Sequence, residues 1–133
     1  MEHSSGLFAV LGGDRRLYWT ARGLRDQGHG VRVWGLEDPK GEFPIQSLAE
    51  TLSGAEYVIL PGPAFTPEGQ LNGSGPALGL EDLLDRLEPA ALVFGGKLGA
   101  WEAAFRRAGI RTVDYLGFPA LAVANAVPAA AAI

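Results

Sequence analysis

Short uninterrupted apolar runs alternate along this chain with stretches whose apolar residues recur at helical spacing. Leu7-Phe8-Ala9-Val10-Leu11 runs straight into Gly12-Gly13, the pattern of a strand buried on both faces and ended by a turn. Comparable runs stand at Val31-Arg32-Val33-Trp34, Tyr57-Val58-Ile59-Leu60, Ala91-Leu92-Val93-Phe94 and, more weakly, Arg111-Thr112-Val113. Between them Leu17, Ala21 and Leu24 are spaced i, i+4, i+7, and Ile45, Leu48, Ala49 and Leu52 follow i, i+3, i+4, i+7. Leu80, Leu83, Leu84 and Leu87 repeat that spacing, as do Trp101, Ala104, Phe105 and Ala108. Five buried strands alternating with four amphipathic helices predict βαβ units and a parallel sheet covered on both faces.

The expected fold is therefore a three-layer α/β/α domain, flavodoxin-like or Rossmann-like, with a parallel sheet of about five strands. Ligands of such sheets bind beyond the carboxyl ends of the strands, where the strand order reverses. That rule selects the segments after strands one, three and four. The domain itself is expected over residues 7–126, after a flexible start at 1–6 and before a helix begun at 127–133. From Tyr115 to Ile133 there is no charged residue, and the stretch reaches the length of a membrane span. Gly117, Pro119, Asn125, Pro128 and the many alanines fit better a sixth extended segment, Leu121–Asn125, leading to a helix start at Pro128. The chain then stops just inside that helix, as though cut at a domain crossover.

Composition narrows the chemistry. Eleven basic against fifteen acidic residues leave a net charge of -4, the wrong sign for holding nucleic acid by phosphate neutralisation. With 47% hydrophobic and 20% charged residues the chain can bury a core. Without cysteine there are no disulfides, thiolate metal sites or thiol nucleophiles, and two histidines are too few for most zinc constellations. His29 lies in an αβ turn at the edge opposite the expected site, so no Ser-His-Asp arrangement is legible. The polar Met1–Gly6 lacks the apolar core of a signal peptide, which implies a cytoplasmic protein.

Gly12-Gly13-Asp14-Arg15-Arg16 is the strongest local signal. Its glycines permit a sharp turn, and free N–H groups at the following helix start would suit an anion. Asp14 is either the helix N-cap or a ligand contact. The dinucleotide fingerprint would need glycine at 14 and 17, where Asp14 and Leu17 stand, so no nicotinamide cofactor is expected on this turn. Arg15, Arg22 and Asp26 share one helix face opposite Leu17 and Leu24, which puts Arg15 on a solvated side; Arg16 lies off that stripe. Trp19 falls on the same polar side, stacked under arginines or part of an interface. Pro61 closes the third strand, and the eighteen residues from Gly62 to Gly79 form an unusually long connection, functional or mobile, in which Thr66 and Glu68 are polar and Phe65 is a candidate anchor. Gly95-Gly96-Lys97 follows the fourth strand, with Lys97 either holding an acidic substrate or simply solvated.

Ala9–Arg16, Tyr57–Pro61, Val93–Gly96 and the closing Ala122-Val123-Ala124-Asn125-Ala126-Val127-Pro128, in that order, resemble the N-terminal domain of the dipicolinate synthase A subunit. The Gly-Gly-Asp turn and the Asn-x-x-Pro exit carry most of the likeness. Where that family tends to have Thr-x-Glu-Gly after the exit proline, this chain has Ala129 to Ala132, so no carboxylate role is carried over there. The resemblance implies a substrate-side domain joined to a C-terminal Rossmann domain that binds NAD(P), an assembly with the B subunit of that enzyme, and the production of dipicolinate from a dihydrodipicolinate-type precursor during sporulation, in the mother cell. It implies a cyclic dicarboxylate as ligand, near the positions that match the family, Gly12, Gly13, Asp14, Arg15, Pro61, Gly95, Gly96 and Asn125; the reading of the residues adds Arg16, Thr66 and Lys97 as candidate contacts. Backbone N–H groups near Gly13 and Gly96 would hold carboxylates together with Arg16 or Lys97. No cofactor and no metal is expected within this chain, which by itself would be inactive; a homo-oligomer remains open. The rival readings are a non-catalytic flavodoxin-like binding or assembly module and a flavin-binding domain.

Overall fold

The computed structural model describes residues 6–73 and 75–115. Asn125, the sixth extended segment and the helix expected at 127–133 lie outside the described residues. Five strands, β1 (Leu7–Leu11), β2 (Gly30–Trp34), β3 (Tyr57–Ile59), β4 (Leu92–Gly95) and β5 (Arg111–Asp114), alternate with four helices, α1 (Arg15–Asp26), α2 (Leu48–Leu52), α3 (Leu80–Arg86) and α4 (Glu102–Arg107). The strands form one parallel sheet in the order β2-β1-β3-β4-β5. The order turns back between β1 and β3, so the switch point lies at their carboxyl ends.

Strand pleating sorts the apolar residues into two cores. Ala9, Leu11, Val58, Leu60 and Val93 face one side, under Leu52, Leu83 and Phe105 of α2, α3 and α4. Phe8, Val10, Val33, Ile59 and Phe94 face the other, against Leu17, Tyr18, Ala21 and Leu24 of α1. The central strands are sealed, Phe8 through Leu11 being fully buried, while β5 at the edge is largely exposed. This is why the Arg111 run reads so weakly as a strand: an edge needs fewer apolar residues. Arg32 of β2 reaches the carboxyl end of α2, its Nη1 donating to the carbonyls of Glu50 at 2.8 Å and Ser53 at 2.7 Å, a cation satisfying helix-end acceptors.

Helix α2 corrects the periodic reading. Ile45 does not belong to it and is fully exposed. The helix starts after Ser47, whose Oγ accepts from the Glu50 N–H at 3.1 Å while Glu50 Oε1 accepts from the Ser47 N–H at 2.9 Å. This capping box, Ser-x-x-Glu, fixes the start more strongly than one further apolar residue at matching spacing. The expected outcome is that Ser47→Ala lowers stability by about 1 kcal/mol while Ile45→Ala leaves it within about 0.5 kcal/mol, as measured by urea unfolding.

Candidate functional site

The turn after β1 opens at the switch point, and the donors of its two glycines are already engaged. The Gly12 N–H donates to the Trp34 carbonyl at 2.9 Å, and the Gly13 N–H to the Asn72 carbonyl at 2.9 Å. Gly13 and Gly73 form a parallel bridge, so close that a Cβ on Gly73 would stand 2.6 Å from the Gly13 nitrogen. Asn72 is fixed in turn, its N–H donating to the Ala64 carbonyl at 3.0 Å and its Nδ2 to the Pro63 carbonyl at 2.9 Å. At the ends of β3 and β4 the Gly96 N–H donates to the Pro61 carbonyl at 3.0 Å and the Ala64 N–H to the Gly96 carbonyl at 2.9 Å. A Cβ on Gly96 would lie 2.5 Å from the Gly62 Cα. Of the N–H groups expected near Gly13 and Gly96 as carboxylate donors, those of Gly13 and Gly96 themselves are thus spent on neighbouring carbonyls. The glycines here let backbone segments cross.

Charged side chains stand around this laced edge. Asp14 is the N-cap of α1, its Oδ1 accepting from the Arg16 N–H at 2.9 Å. The same carboxylate holds the Arg16 guanidinium, with Nε at 3.2 and 3.3 Å and Nη2 at 3.1 Å. The Arg16 side-chain hydrogen bond draws the Asp14 carboxyl below its ordinary pKa, and the Arg16 pKa rises in return. Arg15 turns away to Glu37, 3.4 Å distant on a solvated face. Lys97 has a left-handed backbone, φ 55°, a conformation that costs energy in a residue bearing a Cβ. It is held by Asp114, which accepts from the N–H groups of Lys97 at 3.3 Å and Leu98 at 2.9 Å. The Lys97 ammonium is exposed and forms no ion pair among the described residues.

Tyr115, just beyond β5, ties these groups together. Its hydroxyl donates to the Leu60 carbonyl, and its ring lies 3.4 Å from where a Cβ on Gly62 would stand. Burial pushes its pKa up to about 12, with Arg16 opposing the rise and Asp114 and Asp14 adding to it. Asp14 moves further below neutrality and Tyr115 further above it, so neither is poised to exchange protons near pH 7. The edge offers two cations, Arg16 at the end of β1, oriented by Asp14, and Lys97 at the end of β4, on either side of the β3 exit. That arrangement suits an anion with two separated negative groups.

Residues 7–116 match the model of the N-terminal domain of the dipicolinate synthase A subunit. The chain belongs to that family. Two crystal structures share the fold. Dipicolinate synthase A chain from Bacillus subtilis has a TM-score of 0.70 and 23% identity, over 98% of this chain and 46% of that one. The dipicolinate synthase A subunit from Bacillus halodurans has a TM-score of 0.66 and 16% identity, over 96% of this chain and 46% of that one. The chain therefore spans about half the length of either. Among curated proteins, no sequence has a significant match to it.

Several expected residues fall away from this edge or take local roles. Thr66 serves its own hairpin, Oγ1 accepting from the Gln70 N–H at 3.2 Å and the Thr66 N–H donating to the Gln70 carbonyl at 2.8 Å. The described part of the long connection is a packed lobe, with Ala64, Phe65, Leu71 and Leu78 buried. Phe65 anchors it against Trp101 and Phe105, ring centroids 5.7 and 6.3 Å away. Pro61 is buried beneath Gly13, and Gly95 packs on Leu98 and Ala64. His29 meets the Phe8 ring edge-on at 5.1 Å, at the opposite end of the sheet. Asn72, Asp114 and Tyr115 were not singled out from sequence. The strand-end rule would have found Asp114 and Tyr115 had it been extended to β5, whereas nothing local marks Asn72.

Among the described residues no helix is long and apolar enough to cross a membrane, and no cluster of three His, Asp or Glu could hold a metal ion.

Two outcomes follow from the edge geometry. Gly96→Ala should cost about 1–3 kcal/mol in urea unfolding, because its methyl meets backbone that cannot yield. Tyr115 keeps its proton in the folded state to higher pH than in the unfolded chain, so its contribution is complete below about pH 10 and is lost as pH rises toward the folded value of about 12. Alkaline unfolding of the native chain should show this loss and Tyr115→Phe should show less of it, the remainder coming from Tyr18 and Tyr57, whose pKa values are also raised; spectrophotometric tyrosinate titration would place the group directly.

Proposed function

We propose that this domain forms the substrate wall of a cleft that binds a cyclic dicarboxylate, in an NAD(P)-dependent oxidoreductase making dipicolinate from a dihydrodipicolinate-type precursor during sporulation. The observation that carries the reading is the pair of cations at the switch-point edge, each set by a carboxylate: Arg16 by Asp14 and the Lys97 backbone by Asp114. Arg16 presents a planar fork able to bind one carboxylate with two parallel hydrogen bonds, and Lys97 a point charge for the other. Asp14 holds the Arg16 guanidinium, Asp114 holds the backbone from which Lys97 projects, and the lacing through Asn72 and Gly96 forms the floor beneath them.

The nicotinamide cofactor, which supplies hydride transfer when bound, would be held by the enzyme's own C-terminal Rossmann domain. The Gly12-Gly13 turn has the wrong spacing for it and its donors are occupied. This domain alone would be inactive. The assembled enzyme would work with its B subunit in the cytoplasm of the mother cell.

The test is an NMR titration of the chain with dipicolinate. Perturbations should centre on residues 13–16 and 96–98, and Arg16→Ala or Lys97→Ala should each weaken binding about tenfold, the loss of roughly one charge-assisted hydrogen bond. Perturbations elsewhere, or variants that bind like the native chain, would overturn the assignment. Calorimetric titration with NADH and NADPH should show no tight binding; submicromolar affinity for either would defeat the division of labour between domains.

A further inference from the structure

The outer face of α1 carries Arg15, Trp19, Arg22 and Asp26, which fall within an arc of about 60° over roughly 16 Å of helix. Trp19 is 55% exposed and is the large aromatic most open to solvent among the described residues. Arg22 stacks over its ring at 5.5 Å. Beside it lies a recess of about 270 Å³ lined by Arg15, Tyr18, Trp19, Pro39 and Lys40. Arg16 and Lys97, the cations of the sheet-edge site, are not among these residues.

The charges on this face are placed against their own helix. Arg15 stands in the first turn, where the helix dipole favours acidic residues, and Asp26 in the last, where it favours basic ones. Asp26 has no ion-pair partner among the described residues. Arg15 reaches only Glu37, with both side chains more than half exposed, a contact in exchange with water. A lone helix gains nothing from this arrangement. A second copy running antiparallel gains from all of it.

In an antiparallel helix pair, facing residues have a constant sum of numbers. The sum 41 sets Arg15 opposite Asp26 and also Trp19 opposite Arg22. One two-fold axis thus pairs both ends of the stripe, giving two Arg15–Asp26 pairs, repeats across the axis the arginine-on-indole stacking present within each chain, and opposes the two dipoles. We propose that the α1 face is a self-association surface on which a second copy of this chain docks antiparallel, pairing Arg15 with Asp26 and Trp19 with Arg22 across a two-fold axis. One helix face and the adjoining recess make an interface smaller than the standard size of about 1,600 Å², so the dimer is a weak one.

Sedimentation equilibrium of the 133-residue chain, from about 1 to 300 μM, should show a reversible monomer–dimer equilibrium with a dissociation constant on the order of tens of micromolar. Arg15→Asp and Asp26→Arg should each weaken it at least tenfold, since like charges then face each other at both ends. Mixing the two variants should restore a dimer, because the new carboxylate at position 15 of one chain then meets the new guanidinium at position 26 of the other, while the native Asp26 and Arg15 meet at the far end. Both substitutions agree with the helix dipole, so each variant should melt no lower than the native chain, and circular dichroism would check that it folds. Trp19→Ala should also abolish association. A chain monomeric throughout the range, single variants that dimerise like the native chain, or a mixture that stays monomeric would each overturn the proposal. The dicarboxylate reading rests on Arg16 and Lys97, which none of these variants changes, so its failure and the failure of this proposal are read separately.

Discussion

The contact on which the rest of this structure depends is the close passage of backbone over backbone at the carboxyl edge of the sheet. Gly13 against Gly73 and Gly62 against Gly96 approach to distances that leave no room for a Cβ. In many doubly wound sheets the switch point is a crevice whose floor is made of free N–H groups. Here the Asn72–Gly73 segment lies across that floor and takes the Gly13 donor, while Pro61 takes the donor of Gly96. The cations at this edge are therefore side chains standing around a floor whose Gly13 and Gly96 donors are taken.

Those side chains owe their positions to the same lacing. Asp14 can cap α1 and hold Arg16 because the two glycines bring the chain out of β1 at the right angle. Lys97 is forced into a left-handed turn by the tight exit from β4, and Asp114 at the end of β5 stabilises that turn by accepting two N–H groups. Tyr115 closes the arrangement from below, its buried hydroxyl fixed to the end of β3. Exposed charge at the edge and core packing are thus coupled through a few residues at strand ends, which is where sheet enzymes commonly place their chemistry.

Helix α1 shows that one element can serve two surfaces. Its first turn supplies the Asp14–Arg16 pair to the sheet edge, its apolar face seals one core, and its outer stripe carries charges that oppose its own dipole. The last of these features makes no sense for a helix meeting only water, whereas an oppositely directed neighbour resolves it.

The fold was legible because its signals are local. Continuous apolar runs of strand length, the helical spacing of Leu17, Ala21 and Leu24, and the Gly-Gly turn after β1 each follow from which residues a buried strand or a half-buried helix can tolerate. Ser47 and Glu50 were equally local, and a capping box outweighs the periodic Ile45, whose spacing alone would extend α2. Of the candidate site, Asp14, Arg16 and Lys97 could be named from their places at strand ends. What the sequence could not reveal is which donors at that edge are free. That depends on Asn72 and Tyr115, brought to the edge from about 60 and 100 residues beyond β1 by the parallel pairing of strands. Periodicity and turn chemistry determined the elements and singled out the sheet edge that carries the candidate site. Only the tertiary structure decided that its glycines serve backbone crossing and its charged side chains face the solvent, because hydrogen-bond partners distant in sequence are chosen by packing.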